Sequence, residues 1–290
     1  LGFTQRNTHR LLRIEHCYLM HPSINEVLHT LQGRLVGFSG HQVAIRVGAN
    51  TDQRLVGPPL PDHPEIPSGQ TALEEEILTQ RYRVASAAFF QVNTRREVRP
   101  LPPGLERWAG IAPRATVPPL PPGESRGEGT PADNRRSTMD DTSGASNTSP
   151  QPSAVGRQPS EDLFALSMAD ILALLVFNGL NPQPDDVLLD AYCGVGTFSL
   201  LLAPHVKHVI GIEESTAAID DAKLNAGDLQ NTEFHAGRVE KLLPNLDITP
   251  TAVVLDPARV GCELPALEAL ATLAPRRLVY VSCDPATLAR

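Results

Sequence analysis

A loop with two glycines lies between a predicted strand and a predicted helix. It reads Asp190-Ala191-Tyr192-Cys193-Gly194-Val195-Gly196-Thr197, and Glu213 ends the next predicted strand. Glycines let the backbone approach a ligand closely, and the N–H groups at the start of the following helix point toward anionic parts of that ligand. A carboxylate at the position of Glu213 can accept hydrogen bonds from both hydroxyls of a ribose. The loop therefore predicts a site for a cofactor that contains a nucleoside.

Two classes of cofactor fit this outline, and the residues around the glycines favour one of them. A dinucleotide would use the same strand, turn and acid, but its fingerprint requires a third glycine where Ser199 stands. Asp190, four positions before the first glycine, instead favours S-adenosylmethionine. We therefore expect a methyltransferase rather than a dehydrogenase, although a Gly-x-Gly pattern alone is weakly specific.

Two more motifs end later strands, and the second contains a candidate nucleophile. They are Asp256-Pro257-Ala258-Arg259 and Ser282-Cys283-Asp284-Pro285. Ligands of an open α/β sheet bind outside the carboxyl ends of its strands, so both motifs are expected at one crevice. A Cys283 thiolate that adds to C6 of uracil would make C5 nucleophilic enough to accept a methyl group. The alternative is a cysteine that only packs in the core, which we prefer for Cys193 and Cys262.

The elements that position these residues follow from the pattern of apolar side chains. Repeated strand–helix units predict an α/β fold with a mostly parallel, doubly wound sheet. The predicted strands are Val187–Tyr192, Val206–Glu213, a short strand around Phe234, Ala252–Asp256 and Arg277–Ser282. One predicted helix begins near Phe198, and two others span Thr216–Ala226 and Leu264–Ala274. A further apolar helix is predicted over residues 161–179.

Composition divides the chain into three segments. Residues 1–98 predict a smaller α/β domain with a hairpin around residues 43–56, and the acidic run at residues 74–76 predicts a solvated helix face. Residues 99–160 are rich in Pro, Ser and Gly and poor in large apolar residues, which predicts a disordered insert. Residues 161–290 form the predicted methyltransferase domain. Because the chain begins with Leu and ends inside a motif, we expect a fragment truncated at both ends.

Charge and cysteine content limit the cellular setting. The four cysteines form no CxxC pair, and the longest apolar run, Ile171–Phe177, is far shorter than the about 20 residues that span a bilayer. We therefore expect a cytoplasmic monomer without membrane contact.

The net charge of −8 argues weakly against nucleic-acid binding, but residues 1–100 hold 11 arginines against 9 acids. Arginine suits contacts to phosphate, and the run at Arg95-Arg96 and Arg99 is one candidate; an ordinary surface run is the other.

Together these features resemble the RNA uracil-C5 (5-methyluridine) methyltransferases, which modify uridines of 23S ribosomal RNA and transfer RNA. The likeness covers residues 1–98 and 160–290. The matching stretches are Ser86–Asn93, Leu189–Phe198, Leu255–Arg259 and Val281–Arg290. The resemblance implies a class I enzyme with a Rossmann-like S-adenosylmethionine domain, a smaller RNA-binding domain, and RNA as its partner, with 23S ribosomal RNA first and transfer RNA as the alternative.

The resemblance also assigns roles to particular residues. It implies Cys283 as the nucleophile, and it implies contacts to S-adenosylmethionine from the residues Gln91, Tyr192, Gly194, Gly196, Thr197, Glu213 and Asp256. Cys17 matches the last of four ligands that hold a [4Fe–4S] cluster in some members, but the other three would lie before Leu1. The base that removes the C5 proton is implied beyond Arg290. Arg238 stands where members often carry an acid facing the adenine.

Two other functions compete with this interpretation. A methyltransferase acting on a small molecule or a protein would use the same cofactor fold and would need no cysteine nucleophile. An RNA-binding remnant without catalysis would lack affinity for S-adenosylmethionine. Turnover that persists in a Cys283→Ala variant would favour the first alternative. Failure to bind S-adenosylmethionine would favour the second.

Overall fold

Short antiparallel strand pairs and one helix build the N-terminal part of the chain. The computed structural model describes residues 1–4, 10–35, 38, 40, 42–88, 90, 94–115 and 163–289. In chain order this part contains β1 (Gly2–Thr4), β2 (Leu11–Arg13), α1 (Pro22–Leu31), β3 (Ala44–Val47), β4 (Arg54–Gly57), β5 (Ala72–Ile77), β6 (Gln80–Ala85) and β7 (Glu97–Pro100). β1 pairs with β2, β3 with β4, and β5 with β6, each antiparallel. The hairpin expected around residues 43–56 is confirmed.

The acidic run at residues 74–76 lies in strand β5, so the predicted helix there is wrong. Alternation places Leu73, Glu75 and Ile77 on the buried face. The Glu75 carboxylate is buried because it accepts hydrogen bonds from the N–H groups of Ala49 and Asn50, at 3.0 and 3.3 Å. These donors are 25 and 26 residues away in sequence, and the run itself gives no sign of them.

The first part of the predicted insert is ordered, so its boundary at residue 99 is wrong. Residues 106–108 form a turn of 3-10 helix, and Leu105 and Ala112 are buried. Trp108 packs on Phe177, with ring centroids 5.1 Å apart. The many prolines in this stretch dominate its composition, but Leu105 and Ala112 belong to the main core, and the side chains that pack against that core are Leu101, Trp108, Ala109 and Ile111. Residues 116–160 of the predicted insert lie outside the described residues.

The helix predicted over residues 161–179 begins several residues later. Strand β8 (Leu163–Leu166) pairs antiparallel with β7, and helix α2 spans Met168–Leu180. A capping box sets the start of α2: the Ser167 hydroxyl accepts the N–H of Asp170 at 3.0 Å, and the Asp170 carboxylate accepts the N–H of Ser167 at 2.7 Å. Strand and helix are both apolar here, so periodicity alone did not separate them.

A parallel sheet with helices on both faces forms the larger part of the structure. Its elements are β9 (Val187–Ala191), α3 (Thr197–Leu202), β10 (His208–Glu213), α4 (Thr216–Ala226), β11 (Thr232–Ala236), α5 (Val239–Leu242), β12 (Ala252–Leu255), α6 (Leu264–Leu273), β13 (Arg277–Tyr280) and α7 (Pro285–Leu288). The strand order is β11-β10-β9-β12-β13, and every pairing is parallel. The predicted doubly wound sheet is confirmed, and α4 has the predicted bounds.

The two faces of the sheet bury separate apolar clusters. Leu188 and Val209 face a cluster shared with α2, α3 and α4, whereas Leu189 and Ile210 face one shared with α5 and α6. Adjacent residues of a strand point to opposite faces, which explains the division. The strand order reverses between β9 and β12, and this reversal opens a crevice at their carboxyl ends. None of the described helices has both the length and the apolar content needed to cross a membrane.

Strand β6 attaches the N-terminal part to helix α4. The Asp221 carboxylate, fully buried, forms an ion pair with Arg83 and accepts the N–H of Ala85 at 2.5 Å. The Asn225 side chain accepts the N–H of Arg83 at 2.7 Å and donates to its carbonyl oxygen at 3.0 Å. Tyr82, also fully buried, donates its hydroxyl to the carbonyl oxygen of Thr197 at 3.1 Å. These bonds place the end of β6 beside the crevice.

Candidate active site

A cavity of about 730 Å³ opens at the carboxyl ends of β9, β10 and β12. The residues predicted from the sequence that line it are Tyr192, Gly194, Thr197, Glu213, Asp256 and Cys283. They come from four separate places in the chain, and the topology of the sheet brings them together. Gly196 does not line the cavity but shapes the loop beneath it. Gln91 lies outside the described residues.

The loop after β9 turns sharply through left-handed backbone conformations. Tyr192, Gly194 and Gly196 have φ angles of 70, 55 and 86°. A β-carbon added to Gly194 would meet no atom within 4 Å, so the backbone angle rather than lack of space favours glycine there. That open space is available to a ligand. Tyr192 adopts this conformation although it is not a glycine, at a cost of about 1–3 kcal/mol.

The Glu213 carboxylate connects the end of β10 to this loop. One oxygen accepts the N–H of Gly194 at 3.2 Å, and the other accepts the N–H of Ser215 at 2.8 Å. Each carboxylate oxygen has two acceptor positions, so capacity remains for ligand hydroxyls. The two backbone bonds hold the carboxylate in one orientation at the cavity wall. This geometry suits the ribose-binding role predicted for Glu213.

A fully buried carboxyl group supports the loop from below. Asp190 Oδ2 accepts both the N–H and the hydroxyl of Ser199, at 2.8 and 2.6 Å. Burial raises the pKa of Asp190 to about 7, and the nearby carboxylates of Asp256 and Glu213 add to the effect. Ser199 occupies the position of the third glycine in a dinucleotide fingerprint, and its hydrogen bonds to Asp190 give the serine a structural role there.

Asp256 is a carboxyl group of the cavity wall whose proton affinity is increased. It follows β12 and lines the cavity, and burial raises its pKa to about 6. Together with Glu213 it gives the cavity wall a negative character above that pH. Such a wall is complementary to a ligand that carries positive charge.

The candidate nucleophile, Cys283, lies three residues after the end of β13. Cys283 is exposed and lines the cavity. The Asp284 side chain caps α7 by accepting the N–H of Ala286 at 2.9 Å, and Ser282 Oγ accepts the N–H of Asp284 at 3.2 Å. These short-range bonds order the backbone on both sides of the thiol.

The other cysteines have different surroundings. Cys193 is buried under the loop, and burial raises the pKa of its thiol well above the usual range. Cys262 is half-buried and does not line the cavity. Cys17 is half-buried in the N-terminal part, where its N–H donates to Asn25 at 2.9 Å. Across the part of the chain that the structure describes, no three His, Cys, Asp or Glu residues are placed to hold a metal ion.

Two arginines behave differently from what the sequence suggested. Arg96 is mostly buried and pairs with Glu76 at 2.6 Å and Asp170 at 3.1 Å, so the phosphate contact considered for it is replaced by a structural role. Arg238 lines the cavity and pairs with Glu240 at 2.9 Å and with Glu263. The side-chain hydrogen bond to Glu240 raises the pKa of Arg238 further. The sequence analysis did not predict either acid partner of Arg238. The only signal in the sequence was that Glu240 lies two residues after Arg238, whereas Glu263 lies 25 residues after it.

Known proteins match this domain by sequence. A protein-family model described as a methyltransferase domain matches residues 182–258. An uncharacterized RNA methyltransferase of Oceanobacillus iheyensis is 48% identical over 115 residues, covering 38% of this chain and 25% of that protein. A second, from Gloeobacter violaceus, is 47% identical over 126 residues, covering 43% of this chain and 27% of that protein. The chain thus spans about a quarter of the length of these relatives.

A solved structure matches the fold over nearly the whole chain. It is the tRNA (uracil-54, C5)-methyltransferase of Pyrococcus abyssi in complex with S-adenosyl-L-homocysteine, with a TM-score of 0.55 and 17% identity. The match covers 97% of this chain and 62% of that chain, so it includes the smaller N-terminal part. Residues 182–258 therefore match a methyltransferase domain, the chain shares its fold with the Pyrococcus abyssi enzyme, and it is similar in sequence to proteins named as RNA methyltransferases.

Proposed function

We propose that this protein methylates C5 of uracil in RNA, with S-adenosylmethionine as methyl donor and Cys283 as nucleophile. The observation that carries the proposal is that Cys283 lines the same cavity as Glu213 and Asp256. A methyltransferase that attacks through its substrate's own amine or hydroxyl has no use for a thiol at this position. The names of the sequence relatives support RNA as substrate, and the name of the structural neighbour supports uracil C5. Ribosomal RNA of the 23S type is the first candidate, and transfer RNA is the second.

The residues around the cavity fit S-adenosylmethionine. Glu213 would accept the ribose hydroxyls, and the open space over Gly194 would admit the ligand close to the backbone. Asp256 would face its positively charged end. When bound, S-adenosylmethionine supplies an electrophilic methyl group. Gln91, Tyr192 and Thr197 remain proposed contacts.

Cys283 would activate the uracil ring by forming a covalent bond. The thiolate sulfur adds to C6, and the electron pair of the C5–C6 double bond moves toward C5 and the O4 oxygen. C5 would thereby become nucleophilic enough to take the methyl group from the sulfonium of S-adenosylmethionine, with S-adenosylhomocysteine as the leaving group. A general base then takes the C5 proton, the C6–sulfur bond breaks, and the double bond and the thiolate are restored. The exposure of Cys283 at the cavity mouth allows the ring to approach the sulfur.

The uridine must leave its base stack to reach Cys283, because C5 and C6 are attacked from the face of the ring. The N-terminal part, residues 1–98, would hold the surrounding RNA. Its exposed arginines are the candidates for phosphate contacts, whereas Arg83 and Arg96 are excluded because each is held by a fully buried carboxylate, Asp221 and Asp170 respectively.

A trapped adduct tests this proposal. RNA in which 5-fluorouridine replaces uridine keeps fluorine at C5, so no proton can be removed and the thiol stays attached. Incubation with S-adenosylmethionine should give a protein–RNA adduct that survives denaturation and maps to Cys283 by mass spectrometry. A Cys283→Ser variant should give none, whereas Cys262→Ser, which changes a cysteine outside the cavity lining, should give the wild-type amount. An adduct that persists in Cys283→Ser, or methylation that continues in it, would contradict the mechanism.

A further inference from the structure

A tight turn with an apolar tip stands at the mouth of the cavity. The N–H of Gly261 donates to the carbonyl oxygen of Ala258 at 2.8 Å, so Arg259 and Val260 occupy the two central positions of a β-turn. Both side chains line the cavity. Val260 is 82% exposed, the highest value among the large apolar residues of the described stretch 163–289.

Local folding does not account for valine at this position. Central turn positions favour Gly, Pro, Asn, Asp and Ser, and a β-branched side chain is stiff and gains nothing from exposure. Gly261 already provides the left-handed conformation, with φ 81°, that ends the turn. Isolated exposed apolar residues are common on protein surfaces. Val260 differs from them because its turn follows directly from Asp256-Pro257 and borders the cavity that contains Cys283.

We propose that Val260 contacts the RNA substrate and fills the space in the base stack from which the target uridine is withdrawn. This inference rests on the proposed function. An extruded base leaves an unfavourable unstacked step, and apolar side chains that insert at such steps reduce its cost. A β-branched side chain suits this role because its few rotamers keep it extended from the turn.

Arg259 provides the complementary contact. It occupies the neighbouring central position of the same turn and is exposed. A guanidinium group beside the inserted apolar side chain can bind the phosphate that flanks the extruded nucleotide. The turn would thus present one apolar and one cationic group to the RNA backbone, while the uracil enters the cavity toward Cys283.

The test begins with wild-type protein, radiolabelled S-adenosylmethionine, and unmodified transcripts of 23S ribosomal RNA and transfer RNA. The methylated uridine is mapped, and a synthetic RNA is made that carries it with 2-aminopurine as the neighbouring base. Unstacking of that base increases its fluorescence. Three variants are compared: Val260→Ser, Val260→Leu, and Leu224→Ser as the control. Leu224 is 64% exposed on α4 and does not line the cavity.

We expect Val260→Ser to lose the fluorescence increase and to transfer radiolabelled methyl to the RNA about tenfold more slowly, because it no longer fills the unstacked step. Its affinity for S-adenosylmethionine should stay at the wild-type value. Val260→Leu and Leu224→Ser should resemble the wild type in all three measurements. A Val260→Ser protein that unstacks and methylates normally, or that loses cofactor affinity instead, would overturn the inference alone. Absence of methylation by the wild type on both transcripts would overturn the proposed function and this inference together.

Discussion

The stability of an Asp190→Asn variant, measured relative to the wild type, should be greater at pH 8 than at pH 5. The folded state raises the pKa of this carboxyl group to about 7, from 3.8 in an exposed carboxyl. Between these two values the folded state binds more protons than the unfolded state, so stability falls as the pH rises from about 4 to 7. The Asn side chain carries no charge at either pH, and its amide oxygen can still accept the two hydrogen bonds from Ser199.

The size of the effect follows from the shift in pKa. Keeping the Asp190 carboxylate ionised in the core costs about 4 kcal/mol at pH 8, since the shift is about 3 pKa units. At pH 5 the carboxyl group is protonated in the folded state and ionised in the unfolded state, and taking up this proton on folding costs about 1.5 kcal/mol. The variant should therefore gain about 2.5 kcal/mol on the wild type between pH 5 and pH 8. Among the described residues, Asp190 Oδ1 is buried without a hydrogen-bond partner, so the amide N–H₂ of the variant would also lack one. This cost is the same at both pH values and cancels in the difference.

Thermal unfolding of the cofactor-free protein measures this difference. A change of about 2.5 kcal/mol corresponds to about 5 to 10 °C in Tm for a chain of this size. The matched control is Asp220→Asn, which removes an exposed carboxyl group from α4 and should shift Tm equally at both pH values. If Asp190→Asn also shifted Tm equally at pH 5 and pH 8, then Asp190 would be ionised in the folded state throughout, and the reasoning from its burial would be refuted.

Two further predictions concern the cofactor and the insert. Glu213→Ala should weaken S-adenosylmethionine binding about ten- to a hundredfold in calorimetry, because a hydrogen bond to a charged group contributes about 1.5–3 kcal/mol; unchanged affinity would remove Glu213 from the ribose site. Replacing residues 120–158 with a short Gly/Ser linker should leave Tm and cofactor affinity nearly unchanged, whereas Leu105→Ala, at a site only 1% exposed, should cost about 2–4 kcal/mol. A large loss from the linker variant would show that the replaced segment packs on the domain.

Features that depend on short stretches of sequence could be predicted. Helix α4 has its predicted bounds because Ser215 caps its start, through a bond to the N–H of Ala218, and Gly227 follows its end. The parallel sheet follows from apolar strands separated by helices, and the glycine loop follows from Gly194 and Gly196, whose positive φ angles glycine favours. In each case the cause lies within a few residues of the feature.

Only the tertiary structure decided the state of the charged groups. Glu75 and Arg96 read as surface residues from their neighbours in sequence, yet their partners lie 19 to 74 residues away and bury them. Order at Leu105 likewise depends on packing in the main core, which also contains Phe177. The pKa of Asp190 and the exposure of Val260 have the same origin, since burial is determined by distant segments that surround a side chain. The sequence by itself therefore determined the fold class and the residues able to do chemistry, and the packed chain decided which of those groups are charged, paired or open to a substrate.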